Sequence, residues 1–272
     1  MSRSLFPLYL FLAASLALPA AAQTSRPVPE LGTAPTPRPL PTMPTPGQPP
    51  AASDEVKDPK TGCGVVMMNA DPNVGISWSG ACEYDLAQGK GILQWTKNDA
   101  ATDRYEGEMK DGLYEGQGKL TYANKARYEG EFKAGERDGK GTYVFPSGAR
   151  LTAEFREGRP QGHGMYVWTN GNRYIGDFRD SQRTGRGTMF FADGGRYEGE
   201  FVNGRMQGRG VRVWANGSRY EGEWVNDQAS GWGTKSGGPD GQVFNGIWSN
   251  GCFRENQRWA TVGATAHACG FQ

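Results

Sequence analysis

Tyr105-Glu106-Gly107-Glu108-Met109 returns as Tyr128-Glu129-Gly130-Glu131-Phe132 and as Leu151-Thr152-Ala153-Glu154-Phe155. It returns again as Tyr174-Ile175-Gly176-Asp177-Phe178, Tyr197-Glu198-Gly199-Glu200-Phe201 and Tyr220-Glu221-Gly222-Glu223-Trp224. Each step is 23 residues, and a fixed period of that length marks a stack of supersecondary units. Within the motif, positions one, three and five share one face of a strand and the acids take the other. A turn such as Lys110-Asp111-Gly112 or Val202-Asn203-Gly204 follows. Then comes a Gly-x-Gly pair: Gly116 with Gly118, Gly139 with Gly141, Gly162 with Gly164, Gly185 with Gly187, Gly208 with Gly210 and Gly231 with Gly233. Four residues further on sits an aromatic in most units (Tyr122, Phe145, Trp168, Phe191, Trp214), before a second turn and an arginine.

Two strands and two turns per unit predict a β-hairpin, and successive hairpins predict one antiparallel meander. Trp78-Ser79-Gly80 with Gly89, Gly91 and Trp95, and Phe244-Asn245-Gly246-Ile247-Trp248, fit as degenerate outer units. Terminal repeats of a stack are atypical because they close its core. The expected fold is therefore all-β, an elongated, twisted single-layer antiparallel sheet of about eight hairpins. About sixteen strands at ~4.8 Å would extend it over roughly 70–80 Å. A column of glycines marks close approach of another group, here expected to be the aromatic of the neighbouring strand. Lys140, Arg186 and Arg209, between their glycines, are expected cross-strand partners of the acids, in exposed pairs worth ~0.2–1 kcal/mol.

These motifs closely resemble the MORN (membrane occupation and recognition nexus) repeat, from about Trp78 to Trp248. The resemblance implies an elongated β-sheet scaffold or interaction surface, with lipid binding and dimerisation as further family properties. The unit opening at Leu151, with Thr152 and Ala153 where Glu and Gly recur elsewhere, departs from the pattern, so its hairpin geometry is the least determined.

The chain's start decides the expected compartment. Arg3, an apolar run from Leu5 to Leu18, Pro19 and Ala20-Ala21-Ala22 have the three-part layout of a secretory signal over residues 1–22. An uncleaved signal would be a membrane anchor. Residues 23–59 carry prolines from Pro27 to Pro59 and few large apolar side chains, an extended linker with little to bury. Residues 60–272 form the repeat domain. A periplasmic or secreted protein is expected.

The formal net charge is +1, and loss of Arg3 with the signal brings the mature chain to about zero, so there is no strong field to collect nucleic acid. Lys/Arg are also too dispersed for an anionic membrane surface. The aromatic rows, Trp168 and Trp214 among them, are expected to be structural core, and would meet lipid or glycan only if exposed. Cys63, Cys82, Cys252 and Cys269 make two disulfides in an exported chain. Bridging the two ends of a long sheet is geometrically excluded, which leaves Cys63–Cys82 and Cys252–Cys269 as end staples. A metal site, the rival reading, lacks C-x-x-C spacing.

No catalytic, cofactor or metal motif appears. His163 occupies a slot filled elsewhere by Gln117, Lys140, Arg186, Arg209 or Trp232, which reads as surface. His267 in the C-terminal cap is the one place an enzyme site could form. The expected function is a non-enzymatic scaffold of the cell envelope, partnered by an unidentified envelope protein or by a second copy in a homodimer. The alternative is a lipid- or glycan-binding module.

Overall fold

The computed structural model describes residues 55–66, 73–238 and 241–271; the expected signal, and the linker up to 54, lie outside them. Within them the chain is strand and turn apart from one 3₁₀ turn, His267–Cys269. An N-terminal cap contains β1 (Glu55–Lys57), β2 (Gly64–Val66), β3 (Val74–Trp78) and β4 (Ala81–Glu83), set around β5 (Leu86–Lys97). The body alternates β6 (Ala100–Lys110), β7 (Leu113–Thr121), β8 (Arg127–Lys133), β9 (Glu136–Val144), β10 (Arg150–Arg156) and β11 (Arg159–Val167). It continues with β12 (Arg173–Arg179), β13 (Gln182–Phe190), β14 (Arg196–Val202), β15 (Arg205–Val213), β16 (Arg219–Val225), β17 (Gln228–Ser236) and β18 (Phe244–Trp248). The hairpin of β19 (Cys252–Glu255) and β20 (Arg258–Thr261) closes the far end. From β5 to β18 each strand pairs antiparallel with the next, giving the expected open meander.

The two turns of a unit differ for a geometric reason. The turn inside each hairpin has two residues with positive φ, as at Asp111 (51°) and Gly112 (73°) or Asn203 (49°) and Gly204 (78°), the twist that matches a right-handed strand pair. Between hairpins a longer turn holds one left-handed residue, Gly171 or Gly217, and an Asn side chain caps it. Asn170 Oδ1 accepts from Asn172 N–H at 3.0 Å, and Asn216 Oδ1 from Ser218 N–H at 3.0 Å.

The glycine columns have two separate causes. The first glycine of each Gly-x-Gly pair lies in a bulge: Gly107 pairs with Gly118 but Glu108 pairs with Glu115, so Gly116 and Gln117 are left over. Gly116 takes φ 59° there, and Gly185 likewise. The second glycine lies under a ring. A Cβ at Gly118 would come within 2.5–2.7 Å of the Tyr105 ring, and one at Gly107 within 2.7 Å of Gly118 Cα. Tyr105 thus roofs the glycine two residues along its own strand as well as the expected cross-strand one. Its hydroxyl donates to Glu108 O at 2.7 Å. Tyr128 repeats the arrangement over Gly141, Tyr174 over Gly187, Tyr197 over Gly210 and Tyr220 over Gly233. Trp78 takes the same place over Gly91.

Each roofing tyrosine meets the position-five ring of the next unit edge-on: Tyr128 with Phe155 at 5.1 Å, Tyr174 with Phe201 at 5.0 Å, Tyr197 with Trp224 at 5.2 Å. One face of a single sheet is thereby buried by its own side chains, with Tyr105, Tyr128, Tyr174, Tyr197 and Tyr220 fully buried. Such ring pairs add ~0.5–1.5 kcal/mol beyond the area they bury. Burial raises the pKa of each of these phenols.

The Leu151 unit keeps the common register and bulge, with Leu151 opposite Tyr166 and Ala153 opposite Gly164. Leu151 is too short to reach over position three, and the Ala153 methyl fills that place; a Cβ at Gly164 would lie 2.8 Å from it. The expectation that a neighbouring ring explains every such glycine therefore fails at Gly164, where a methyl does the excluding. Gly141 stands on the border between the two fillings. On one side it pairs with Gly130, and a Cβ there would meet the Tyr128 ring and hydroxyl within 2.5 Å; on the other it pairs with Ala153, where the other units have a glycine.

Both expected disulfides are present, Cys63–Cys82 and Cys252–Cys269, each with Cα atoms 5.7 Å apart. The N-terminal cap begins earlier than the expected boundary at Lys60. β1 pairs with β2, and Asp58, 2% exposed, accepts from Trp78 N–H at 2.9 Å and Lys60 N–H at 2.8 Å. Burial alone would raise its pKa, but these N–H donors outweigh it and hold the carboxyl below its ordinary value. At the other end Phe253 packs on Trp248 and Phe244, closing the aromatic row.

Candidate binding face

Parity along the strands sends Arg196, Glu198 and Glu200, and their counterparts in every unit, to the face opposite the rings. From β11 to β17 this polar face holds an open groove of about 1050 Å3. One wall carries Arg186 and Arg209, the other Arg196 and Arg219, and Thr188, Glu198, Val211 and Glu221 form the floor. Trp232, 57% exposed, stands at the C-terminal end beside Ile247.

Of the inter-glycine cations, Lys90 pairs with the acid opposite it, but the pairs expected of Lys140, Arg186 and Arg209 do not form among the described residues. Arg186 sits opposite Glu200 and Arg209 opposite Glu223 in register, yet no carboxylate approaches either guanidinium within ion-pair distance among the described residues. The acids bend back onto the bulges instead. Glu131 Oε1 accepts from the Lys140 backbone N–H at 3.1 Å, and Glu200 Oε1 from that of Arg209 at 3.4 Å. An acid at position four serves the backbone of its neighbour, a fixed N–H that a mobile side-chain cation cannot match. Exposed ion pairs do form where geometry allows: Arg219–Glu221 at 2.7 Å, Arg104–Glu106 at 3.0 Å, Lys90–Glu108 at 3.3 Å. Among the described residues Arg196 and Glu198 have no such partner.

His163 is exposed, as its slot implied, with Nδ1 3.3 Å from Asp177 Oδ1. His267 lies in the C-terminal 3₁₀ turn next to the disulfide. Trp168 is buried and Trp214 packs partly buried against the core, so the surface row on which a lipid- or glycan-binding aromatic face depended does not include them. The parity of the position just before the second turn explains why: it is in phase with the buried residue two before it, Tyr166 or Arg212, so its ring folds onto the tyrosine face. Among the described residues the exposed aromatics are Tyr84, Trp232 and Trp259.

Residues that the periodicity did not single out are the buried arginines. Arg137 and Arg183 are each 3% exposed, paired in register with Phe132 and Phe178. Arg183 lies over Trp168, Tyr174 and Phe201 at 5.3–5.6 Å and donates to Gly204 O. Arg137 does the same among Tyr128, Tyr143 and Phe155, donating to Gly158 O at 2.6 Å. Burial lowers the Arg183 pKa. Burial also lowers that of Arg212, held against Phe191 and Trp214, to about 10. Cation–ring contacts offset part of the lost hydration. The signal available was register: a residue opposite position five must share its buried face.

A family model described as MORN repeat matches residues 83–100, 105–127, 128–150, 152–173, 174–196, 197–219 and 220–238. No curated protein matches the chain. Among solved structures, the SAS-4 (dCPAP) TCP domain of Drosophila melanogaster, in complex with a proline-rich motif of Ana2 (dSTIL), is 14% identical. It covers 57% of this chain and 82% of its own, with a TM-score of 0.33. A streptogramin B lyase is 10% identical, covering 66% and 75%, with a TM-score of 0.15.

Proposed function

This chain belongs to the MORN repeat family, whose repeats occupy more than half of its 272 residues, and on that premise we propose that it is a non-enzymatic scaffold of the cell envelope that presents its polar sheet face to a protein partner. Members of the family commonly serve as interaction modules. The observation that carries the reading is the division of labour between faces. The rings consume one face in holding the sheet together, and the other is left open along its length with its charges at a fixed pitch. Rigid presentation of many weakly interacting groups suits recognition, because little order remains to be lost on binding. The signal-like first 22 residues and the two disulfides support an exported, oxidising location.

The test is affinity capture with the full-length, oxidised mature protein from an envelope extract, together with its oligomeric state by light scattering. A reproducible protein partner whose capture is lost on reversing polar-face charges supports the scaffold. A monomer that captures only lipid or glycan contradicts it.

A further inference from the structure

We propose that the outer edge of β18 takes an extended, uncharged segment of the protein partner as an added antiparallel strand. This rests on the scaffold reading and names the way in which the partner is held.

The repeat itself shows what such a strand would replace. In the unit before, the turn after β16 closes with Val225 opposite Gln228, and the chain then runs back along β16 as far as Ser236 opposite Arg219. The last unit makes the same turn, with positive φ at Asn250 (49°) and Gly251 (80°), and closes it with Ser249 opposite Cys252. From Phe253 onward the chain leaves β18. β19 pairs with β20 instead, Phe253 packs on Trp248 and Phe244, and the Cys252–Cys269 disulfide ties the hairpin in place. Among the described residues no strand pairs with β18 on the side away from β17. Alternate N–H and C=O groups of an edge strand point outward, where a partner's backbone completes the ladder.

Side chains mark the same edge. Position four is an acid in every full unit from Glu108 to Glu223, but in β18 it is Ile247, 65% exposed. Opposite it stands Trp232, in the slot that holds Gln117, Lys140, His163, Arg186 or Arg209 elsewhere. Val243, just before the strand, is exposed as well. The polar face thus turns apolar in its last two strands. β18 also carries neither a charge nor a proline, two of the devices that blunt an edge against pairing.

Register specifies the segment. A residue set opposite Ile247 lies on the polar face beside Ile247 and Trp232, a place for a β-branched apolar side chain. Opposite Asn245, whose Oδ1 accepts from Thr234 at 2.7 Å, a serine or threonine can take the amide N–H. Opposite Gly246 a small residue fits, as glycine does opposite position three in other units. A second copy of this chain is a poorer occupant. Two rigid sheets meeting edge to edge would touch along the five residues of β18, roughly 17 Å of strand. That falls well short of the ~800 Å2 per partner buried in a stable association, whereas a flexible segment can close over Trp232 and Val243 too. The chain's own residues 35–50 carry eight prolines, whose missing N–H groups cannot complete a ladder.

The test uses the full oxidised chain and the fluorescein-labelled peptide Lys-Ser-Val-Gly-Thr-Ser-Val-Lys, read by anisotropy. Two further versions carry backbone N-methyl groups, one at Ser, Gly and Ser, the other at Val, Thr and Val. Only alternate N–H groups of an antiparallel strand face its neighbour. One methylated version should therefore bind about as well as the parent peptide, and the other about tenfold more weakly or less. Ile247→Lys should also weaken binding about tenfold or more. That side chain is exposed, and an unchanged circular dichroism spectrum confirms the fold. No binding up to about 1 mM peptide, equal binding of the two methylated versions, or undiminished binding by I247K overturns the inference. So does a dimer in light scattering that I247K breaks, which would assign the edge to a second copy. A captured envelope partner that I247K retains also overturns it, whereas peptide binding with no captured partner would defeat the scaffold reading instead.

Discussion

The unit that opens at Leu151 and the unit that opens at Tyr174 reach the same hairpin by different fillings of one space. In the tyrosine unit a ring spans the sheet over two glycines, Gly176 and Gly187, and its hydroxyl donates to Asp177 O at 3.1 Å. In the leucine unit the ring is absent and a methyl group, Ala153, stands where Gly176 does, over Gly164. Both keep the same bulge one residue later. The difference teaches that Tyr at position one and Gly at position three are one choice rather than two. The hairpin itself is held by the bulge and the turn, which do not vary.

The largest effect that separates the two kinds of unit is alkaline. Tyr105, Tyr128, Tyr174, Tyr197 and Tyr220 all have pKa values raised by burial above the ordinary 10.0. The fold therefore favours the neutral phenol. Its stabilisation is intact below about pH 10 and is lost as pH rises toward the folded-state values. Tyrosinate absorbance should appear cooperatively and together with loss of circular dichroism, well above pH 10. Gradual titration near pH 10 with the sheet intact would show that the rings do not roof the glycines.

Next in size is Gly176→Ala. Its Cβ would meet Gly187 Cα at 2.6 Å and Arg186 O at 2.7 Å as well as the Tyr174 hydroxyl. Backbone cannot yield cheaply, and a loss of about 3 kcal/mol in denaturant unfolding is expected. Alanine is the native residue at the matching position 153, so a loss below about 0.5 kcal/mol would show that the ring is not what excludes a methyl. Smaller again is R186Q/R196Q/R209Q, which should change stability by less than about 0.5 kcal/mol, because the polar face does not hold the sheet together. A larger loss would mean that the two faces are not independent.

Much of this was legible from residue spacing. The 23-residue period and the parity of Tyr105, Gly107 and Met109 specify the hairpin, the buried face and the order of strands, because a one-residue slip would invert both faces. The end-to-end distance of such a sheet also fixes the cysteine pairing. Two things were not legible. Lys140, Arg186 and Arg209 read as partners of the acids, yet among the described residues none of them pairs with one; at Lys140 and Arg209 a carboxylate takes the backbone N–H of the bulge instead. Arg137 and Arg183 were not singled out by the periodicity, and register with Phe132 and Phe178 places them inside. In both cases a local rule of polarity gave way to register, which depends on where the two-residue bulge falls. Trp168 and Trp214 read first as core rings, and they pack there; only the alternative that turned them toward lipid or glycan loses its site.

A double-mutant cycle at positions 151 and 153 tests the coupling of ring and glycine most directly. Leu151→Tyr alone should cost about 2 kcal/mol, since the incoming ring meets the Ala153 methyl. Ala153→Gly alone should cost about 1 kcal/mol. Combined, they should return to within about 0.5 kcal/mol of the parent, a coupling of roughly 2–3 kcal/mol. Additive losses in the double variant would contradict the account, and would mean that tyrosine and glycine recur together without sharing a space.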